Sequence, residues 1–146
     1  LTMEHSTSSI IPFINFYMED VKVVTLILTK QVKLADVEAL TDALYDNINA
    51  DETLFIASVD FSHYLTLEEA DKMDLISIDA IQNKDIQKIM SFNNDNLDSP
   101  ISIVTMLKMM DKTGTSKEFM LRNSNSELIL KKKFDETTSY ITYLFY

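Results

Sequence analysis

The chain has no cysteine, no tryptophan, a single glycine and only two histidines among its 146 residues. The absence of cysteine excludes a disulfide, a thiolate metal ligand and a cysteine nucleophile, and it fits a reducing compartment, so we expect a cytoplasmic protein. The single glycine, Gly114, excludes the glycine-rich loops that hold phosphate groups. Because there are so few histidines and no cysteine, any metal site would have to depend on carboxylates.

Long hydrophobic runs and basic clusters are also missing. No apolar run approaches the roughly 18 residues of a membrane span, and no basic segment followed by an apolar one indicates a secretion signal. The formal net charge is −10, and the one basic run, at residues 131–133, is too short to bind a phosphate backbone. We therefore expect neither a membrane nor a nucleic acid as a partner.

What is present is the composition of a globular domain. Hydrophobic residues make up 46% of the chain and charged residues 25%, which is ordinary for a folded protein, and the length allows a real core. Neither an internal repeat nor a Pro/Gly-rich linker divides the sequence. We predict one domain, or part of one, over residues 1–146 without an internal linker.

The spacing of apolar residues predicts alternating strands and helices. Two β-branched, nearly uncharged segments, 21–29 and 53–59, predict buried central strands. Further helices and strands follow from periodicity: helices over 9–18, 34–48, 66–81, 84–92 and 100–112, and strands over 118–122 and 139–145. This order favours an α/β fold with a mixed central sheet and helices packed on its faces.

Helix boundaries are marked by their own residues. Thr66 and Glu69 form a capping-box pattern at the start of the third predicted helix, in which each side chain bonds the backbone of the other. Pro100 stands at the start of the last predicted helix and Gly114 just beyond its end, which is the usual asymmetry of helix ends.

The strongest chemical signal is the pair Asp60 and His63, at the carboxyl end of the predicted strand 53–59 and before a helix. Ligands of α/β proteins bind at this edge, and a carboxylate can fix the tautomer of an imidazole and raise its basicity. We therefore take Asp60 and His63 as candidate catalytic residues, supported by the hydroxyl of Tyr64. The alternative is structural: Asp60 bonds nearby backbone, His63 is a turn residue and Tyr64 belongs to the core.

A second candidate is His5, preceded by Glu4. A histidine beside a carboxylate could ligate a metal. The alternative is that His5, a lone histidine near the start of the sequence, is a solvated surface group. The carboxylates Asp71 and Asp74 share one predicted helix, and a solvated helix face is the expected position for both.

Three blocks of sequence resemble the Memo-like family: Glu-His-Ser at 4–6, Ile-Pro-Phe-Ile at 11–14 and Ser-Val-Asp-Phe-Ser-His-Tyr at 58–64. This family includes the B component of the AmmeMemoRadiSam system and is similar in fold to class III extradiol dioxygenases. Later blocks agree in the same order, at 69–74, 78–81, 99–101 and 138–140. The resemblance implies a Memo/extradiol-dioxygenase-like α/β fold, of which this chain is the carboxyl-terminal portion.

The resemblance also implies a set of site residues. Asp60 and His63 match the family's Asp-x-x-His, and Glu4 with His5 matches its Glu-His-Ser. The cysteine on the metal side of the family's site, counted back from the proline of the late helix, falls on Asn96, a weak neutral ligand. Other histidines of the family's site belong to an amino-terminal half, and the helix-like block at residues 1–3 reads as cut from something longer.

Two functions follow from the resemblance. The first is a Memo-like protein of unknown substrate without an intact metal site, which acts as a non-catalytic binding domain and needs no cofactor. The alternative is a dioxygenase-like or other redox enzyme, in which Asp60 and His63 work with iron, copper or zinc held by ligands from the missing half. As part of a larger α/β domain, the chain would expose a sheet edge, so we also expect self-association.

Overall fold

The structure, a computed structural model, describes residues 4–29 and 31–146, so the block predicted at residues 1–3 lies outside it. The helices are α1 (His5–Ser8), α2 (Ile11–Tyr17), α3 (Leu34–Asn47), α4 (Leu67–Gln82), α5 (Ile86–Met90), α6 (Pro100–Thr113) and α7 (Ser126–Leu130), with a 3₁₀ turn at Ala50–Glu52. The strands are β1 (His63–Leu65), β2 (Glu118–Asn125) and β3 (Thr137–Phe145). The α/β class and the predicted helices α2 to α6 are confirmed.

The strands form an antiparallel sheet in the order β1-β3-β2. β2 and β3 pair along their length, with Asn123 opposite Ile141, while β1 pairs with the start of β3 through His63 and Thr138. The two carboxyl-terminal strands predicted from the sequence are therefore confirmed. β3 is central in this sheet, so it carries β1 and the candidate site on one side and β2 on the other.

The predicted helix ends are also confirmed. The Glu69 amide donates to Thr66 Oγ1 at 3.4 Å, and the Thr66 amide donates to Glu69 Oε2 at 3.1 Å. Pro100 is in the first turn of α6, and Gly114 ends that helix with a φ of 73°. A left-handed residue at this position lets the last carbonyls of the helix find partners.

The core lies between the helices. α3 and α5 pack on α6, and α4 packs on α5 and β3. Nine buried apolar side chains form the central cluster: Val37, Phe61, Ala80, Ile81, Ile89, Leu97, Ile101, Val104 and Leu107. Exposed ion pairs such as Lys108 with Glu38 also join α6 to α3, but surface pairs contribute at most about 1 kcal/mol each, so apolar contacts hold the helices together.

The prediction of two buried central strands is wrong. Residues 21–29 and 53–59 form no helix or strand, and only Leu28 and Val59 of these segments pack against the central cluster. Val24 and Leu54 are 81% and 60% exposed. A strand needs a partner for its backbone groups, and the described part of the chain supplies none for these segments.

Within the two described ranges, no helix is long and apolar enough to cross a membrane.

Candidate functional site

Asp60 and His63 lie close together, but they are not hydrogen-bonded to each other. Asp60 Oδ2 is 3.9 Å from His63 Nε2, and the exposed fraction is 15% for the histidine side chain and 52% for the aspartate. His63 Nδ1 instead lies 3.3 Å from Thr138 Oγ1 on β3. A distance of 3.9 Å is too long for a hydrogen bond, so the threonine hydroxyl, rather than the carboxylate, is positioned to select the imidazole tautomer.

A β-bulge at Tyr64 interrupts the pairing of β1 with β3. The register between β1 and β3 shifts between His63 and Leu65, and Tyr64 has a φ of 58°. Its side chain is 67% exposed, so its placement in the core, proposed as an alternative, is wrong. The Tyr64 ring lies 5.5 Å from the His63 ring, and bulges of this kind often re-aim a side chain beside a functional site.

Asp98 is a member of the cluster that the sequence did not indicate. Its backbone N–H donates to the carbonyl of Asp60 at 3.0 Å. The pKa of Asp98 is raised by the loss of hydration in the packed loop and then by the negative charge of Asp60. Burial, followed by the charge of Asp60, also raises the pKa of Tyr140. Asp98 and Asp60 are far apart in sequence, and no local spacing joins them.

Together the side chains of Asp60, His63, Asp98 and Tyr140 form a polar cluster. It contains two carboxylates, an imidazole and a phenol, of which the Asp98 carboxyl holds its proton to a higher pH than an ordinary aspartate. A titratable group with a perturbed pKa beside other polar groups is a common feature of functional sites. The catalytic role of Asp60 and His63 remains a prediction.

Asn96 is engaged with α4. Its side-chain amide donates to Ser77 Oγ at 3.4 Å and lies 3.9 Å from Met73 Sδ. Its backbone carbonyl accepts from the same serine hydroxyl at 3.5 Å. These contacts fasten the loop before α6 to α4, which is a structural use of the residue. Its metal-side role, implied by the family resemblance, remains a prediction.

Glu4 and His5 form the start of a short helix. Glu4 Oε1 accepts from the backbone and hydroxyl of Ser6 at 3.1 and 2.8 Å, and these bonds lower the pKa of Glu4. His5 is exposed on α1. Among the described residues, no three His, Cys, Asp or Glu side chains lie close enough to hold a metal ion. The iron, copper or zinc implied by the family therefore does not fit the described residues by themselves.

A buried carboxylate lies on the side of α4 that faces the sheet. Asp74 is 1% exposed, and its Oδ1 accepts a 2.7 Å hydrogen bond from Ser62 Oγ. The prediction of a solvated face is wrong for Asp74, because α4 turns this side toward β3, and correct for the exposed Asp71. Burial raises the pKa of Asp74, and the bond from Ser62 offsets only part of that effect.

A cleft of about 1520 Å³ opens on the described surface. Residues 21–29 and 53–58 line it, together with parts of α2 and α6. Its walls are mostly apolar, and its lining includes several acidic side chains and one basic one: Glu4, Asp20, Asp51, Glu52, Asp98 and Lys22. Asp98 belongs both to this cleft and to the polar cluster around His63, so the two features are continuous.

Comparison with known proteins places the chain in a family. The family described as Memo-like protein matches residues 1–144. The chain belongs to the Memo-like family. Curated relatives named MEMO1 family protein include one from Methanosarcina mazei, 31% identical over 130 residues, or 84% of this chain and 48% of the relative.

Other relatives of the same name match a shorter region. The protein from Archaeoglobus fulgidus is 34% identical over 86 residues, which cover 58% of this chain and 33% of the relative. The protein from Methanococcoides burtonii is 36% identical over 88 residues, covering 59% of this chain and 33% of the relative. The chain thus spans between a third and a half of the length of the curated relatives it matches.

Proposed function

We propose that this Memo-family chain is a non-catalytic binding domain that acts through its open cleft. The observation that carries the proposal is the exposure of apolar side chains along the cleft, such as Val24 at 81% and Leu54 at 60%. Exposed apolar surface of this extent is typical of an interaction site. The cleft therefore gives the chain a surface to bind with, whatever the state of the polar cluster.

The geometry around His63 supports the same proposal. The imidazole and the Asp60 carboxylate are 3.9 Å apart, which is too long for a hydrogen bond between them. The donor set in the described residues also does not fit a metal. Metal-dependent dioxygenase-like chemistry would need a set of ligands that the described residues do not bring together.

A second candidate is an enzyme in which this chain supplies half of the site. The observation that favours it is the enclosure of His63, only 15% exposed, next to Asp60 and near Asp98, whose pKa is raised. In that case His63 and the two carboxylates would move protons, and a further portion of the protein would complete the site.

One preparation of the chain tests both candidates. Titration with ferrous iron, cupric copper and zinc, followed by calorimetry and elemental analysis, is expected to find no stoichiometric metal. In parallel, an apolar fluorescent dye of the anilinonaphthalene type is expected to bind the folded chain. Val24→Lys is expected to reduce this binding because it places a charge in the cleft.

Two outcomes would contradict the binding-domain proposal. One equivalent of metal that is lost in His63→Ala, but kept in the control Asp71→Asn at an exposed position of α4, would favour the half-site enzyme. Dye binding that Val24→Lys leaves unchanged would show that the cleft is not the apolar binding surface.

A further inference from the structure

The segment from Ser62 to Leu65, which carries His63, is hydrogen-bonded to buried side chains at both of its ends. At one end, the Ser62 hydroxyl donates to Asp74 Oδ1 at 2.7 Å. At the other end, the Leu65 carbonyl accepts from the Thr137 hydroxyl at 2.8 Å. The side chains of Ser62, Asp74 and Thr137 are almost fully buried. Breaking either bond would therefore leave a buried polar group without a partner, which is unfavourable.

Asn125, at the end of β2, connects the two ends of this segment. Its side chain is buried, and its Nδ2 donates to Thr137 Oγ1 at 2.9 Å and to Ser139 Oγ at 3.2 Å. Its Oδ1 accepts from a backbone N–H of α7 at 2.9 Å. One amide thus holds the hydroxyls of the two residues that flank Thr138, whose own hydroxyl lies beside the His63 ring.

Ser139 joins these bonds to Asp74. Burial raises the pKa of Asp74, and the side chains of Ser62 and then Ser139 offset part of that rise, so both hydroxyls lie beside one carboxyl group. The backbone N–H of Ser139 also donates to the Ser62 carbonyl at 3.0 Å. We refer to the side chains of Asp74, Ser62, Ser139, Asn125 and Thr137 as the buried network.

The backbone between the two held ends is strained. Tyr64 has a φ of 58°, a left-handed conformation that is unfavourable for a bulky side chain. Such a conformation persists only where the surrounding structure fixes it. The Tyr64 side chain is mostly exposed, so its own packing does not provide this constraint. The bonds at Ser62 and Leu65 restrain the backbone on both sides of it.

We propose that the buried network positions His63, with Asp74 and Asn125 as positioning residues. The network fixes the bulged backbone and with it the imidazole, whose Nδ1 lies 3.3 Å from Thr138 Oγ1 and whose Nε2 lies 3.9 Å from Asp60 Oδ2. It also fixes β3 on both sides of Thr138, so one set of buried bonds places both the ring and the neighbouring hydroxyl. This role extends beyond the proposed function, because a binding surface and an enzyme would both depend on where the ring lies.

The ring signals of the two histidines test the placement. Nitrogen NMR of the full 146-residue chain, labelled at histidine and recorded with both imidazoles neutral, gives the tautomer ratio of His63. His5 is exposed on α1 and serves as the internal reference. In Asp74→Ala and in Asn125→Ala, we expect the tautomer ratio of His63 to move toward that of His5 by about fivefold, which is roughly the factor that one lost hydrogen bond is worth. The His5 signals should stay unchanged.

Further variants separate the placement of the ring from overall stability. Asp74→Asn keeps an oxygen that can accept from Ser62, so it is expected to restore the wild-type His63 signals that Asp74→Ala loses. Thr137→Val removes one hydroxyl of the network and keeps the side-chain shape, so it gives the expected shift even where an alanine variant does not fold. Val37→Ala is the control, because Val37 is fully buried in α3 and lies outside the network. It should lower the stability to urea and leave the His63 signals unchanged.

Two results would overturn the proposal. The first is a wild-type tautomer ratio of His63 in Thr137→Val, whether or not the alanine variants fold. That result would show that other contacts hold the ring. The second is an equal change of the ratio in Val37→Ala, which would show that the ring responds to any loss of stability rather than to the buried network.

Discussion

At the scale of the residue, the buried carboxylate of Asp74 is hydrogen-bonded to the segment that carries His63. Asp74 is almost fully buried, and its Oδ1 is bonded by Ser62, whereas Oδ2 has no hydrogen-bond partner among the described residues. Burial removes water from the carboxylate and so disfavours its ionised form, and this loss of hydration is the main reason why the pKa of Asp74 is raised. Ser62 immediately precedes His63, so this bond joins α4 to the start of the candidate site.

The raised pKa of Asp74 predicts a pH dependence of stability. The folded state holds the proton more tightly than the unfolded chain, whose aspartate titrates near 3.8. The contribution of Asp74 to the free energy of unfolding is therefore largest below that value, decreases as the pH rises through the raised folded pKa, and then levels off. Asp74→Asn is expected to remove this decrease, as measured by urea unfolding at pH 4 to 8.

Asp135→Asn is the control, since Asp135 is an exposed acid and is not among the groups that shift the pKa of Asp74. Asp135→Asn should keep the wild-type dependence on pH. If Asp74→Asn and the wild type lose stability in parallel over this range, the interpretation of Asp74 is wrong.

At the scale of the element, helices and strands differ in the hydrogen-bond partners that they need. α4 and α6 are complete within the chain, because their backbone bonds, caps and apolar faces are all local or meet neighbouring helices. Segment 21–29 has an equally clear apolar pattern, yet it forms no strand. Strand propensity reflects packing and pairing with neighbouring strands. A clear apolar pattern is therefore enough to predict a helix, but a strand also needs a partner strand.

The end of α6 supplies a test of local helix signals. Gly114 has a φ of 73°, and a Cβ atom there would meet nothing within 4 Å. Gly114→Ala therefore introduces backbone strain without a clash and is expected to lower the free energy of unfolding by about 1 kcal/mol.

Gly114→Asn provides the comparison, because asparagine tolerates the left-handed region better than alanine. It should lose less stability than Gly114→Ala in chemical denaturation followed by circular dichroism. Equal stability of the wild type and both variants would show that the left-handed end of α6 does not contribute to stability.

At the scale of the whole molecule, the net charge and the exposed apolar cleft have opposite effects on the association of copies of the chain. The chain carries a formal charge of −10 and has a sequence pI of about 4.5. Charge keeps copies apart at neutral pH, while the apolar walls of the cleft favour their association. The state of the isolated chain thus depends on pH.

This balance predicts aggregation near the pI. As the pH approaches about 4.5, repulsion is lost and the apolar cleft drives association, which light scattering would record. Leu54→Lys, which places a charge in the cleft, should reduce the scattering more than Leu130→Lys, which adds the same charge elsewhere. Equal scattering from the two variants would contradict a role of the cleft.

Part of the candidate site was predictable and part was not. The spacing of Asp60 and His63 predicted that both lie just before α4, and they do lie close together. The contact of Asp98 with Asp60, the bulge at Tyr64 and the burial of Asp74 were not predicted. Each of these depends on residues from separate elements meeting in space, which a local pattern does not encode.

The sequence by itself determined helices α2 to α6, the ends of α4 and α6, and the family, since helix hydrogen bonds and capping contacts join residues that are near one another in the chain. Only the tertiary structure decided which carboxylates surround His63 and that segments 21–29 and 53–59 remain unpaired. Pairing of strands and enclosure of charges depend on distant parts of a polypeptide, and for these two segments the described chain contains no partner.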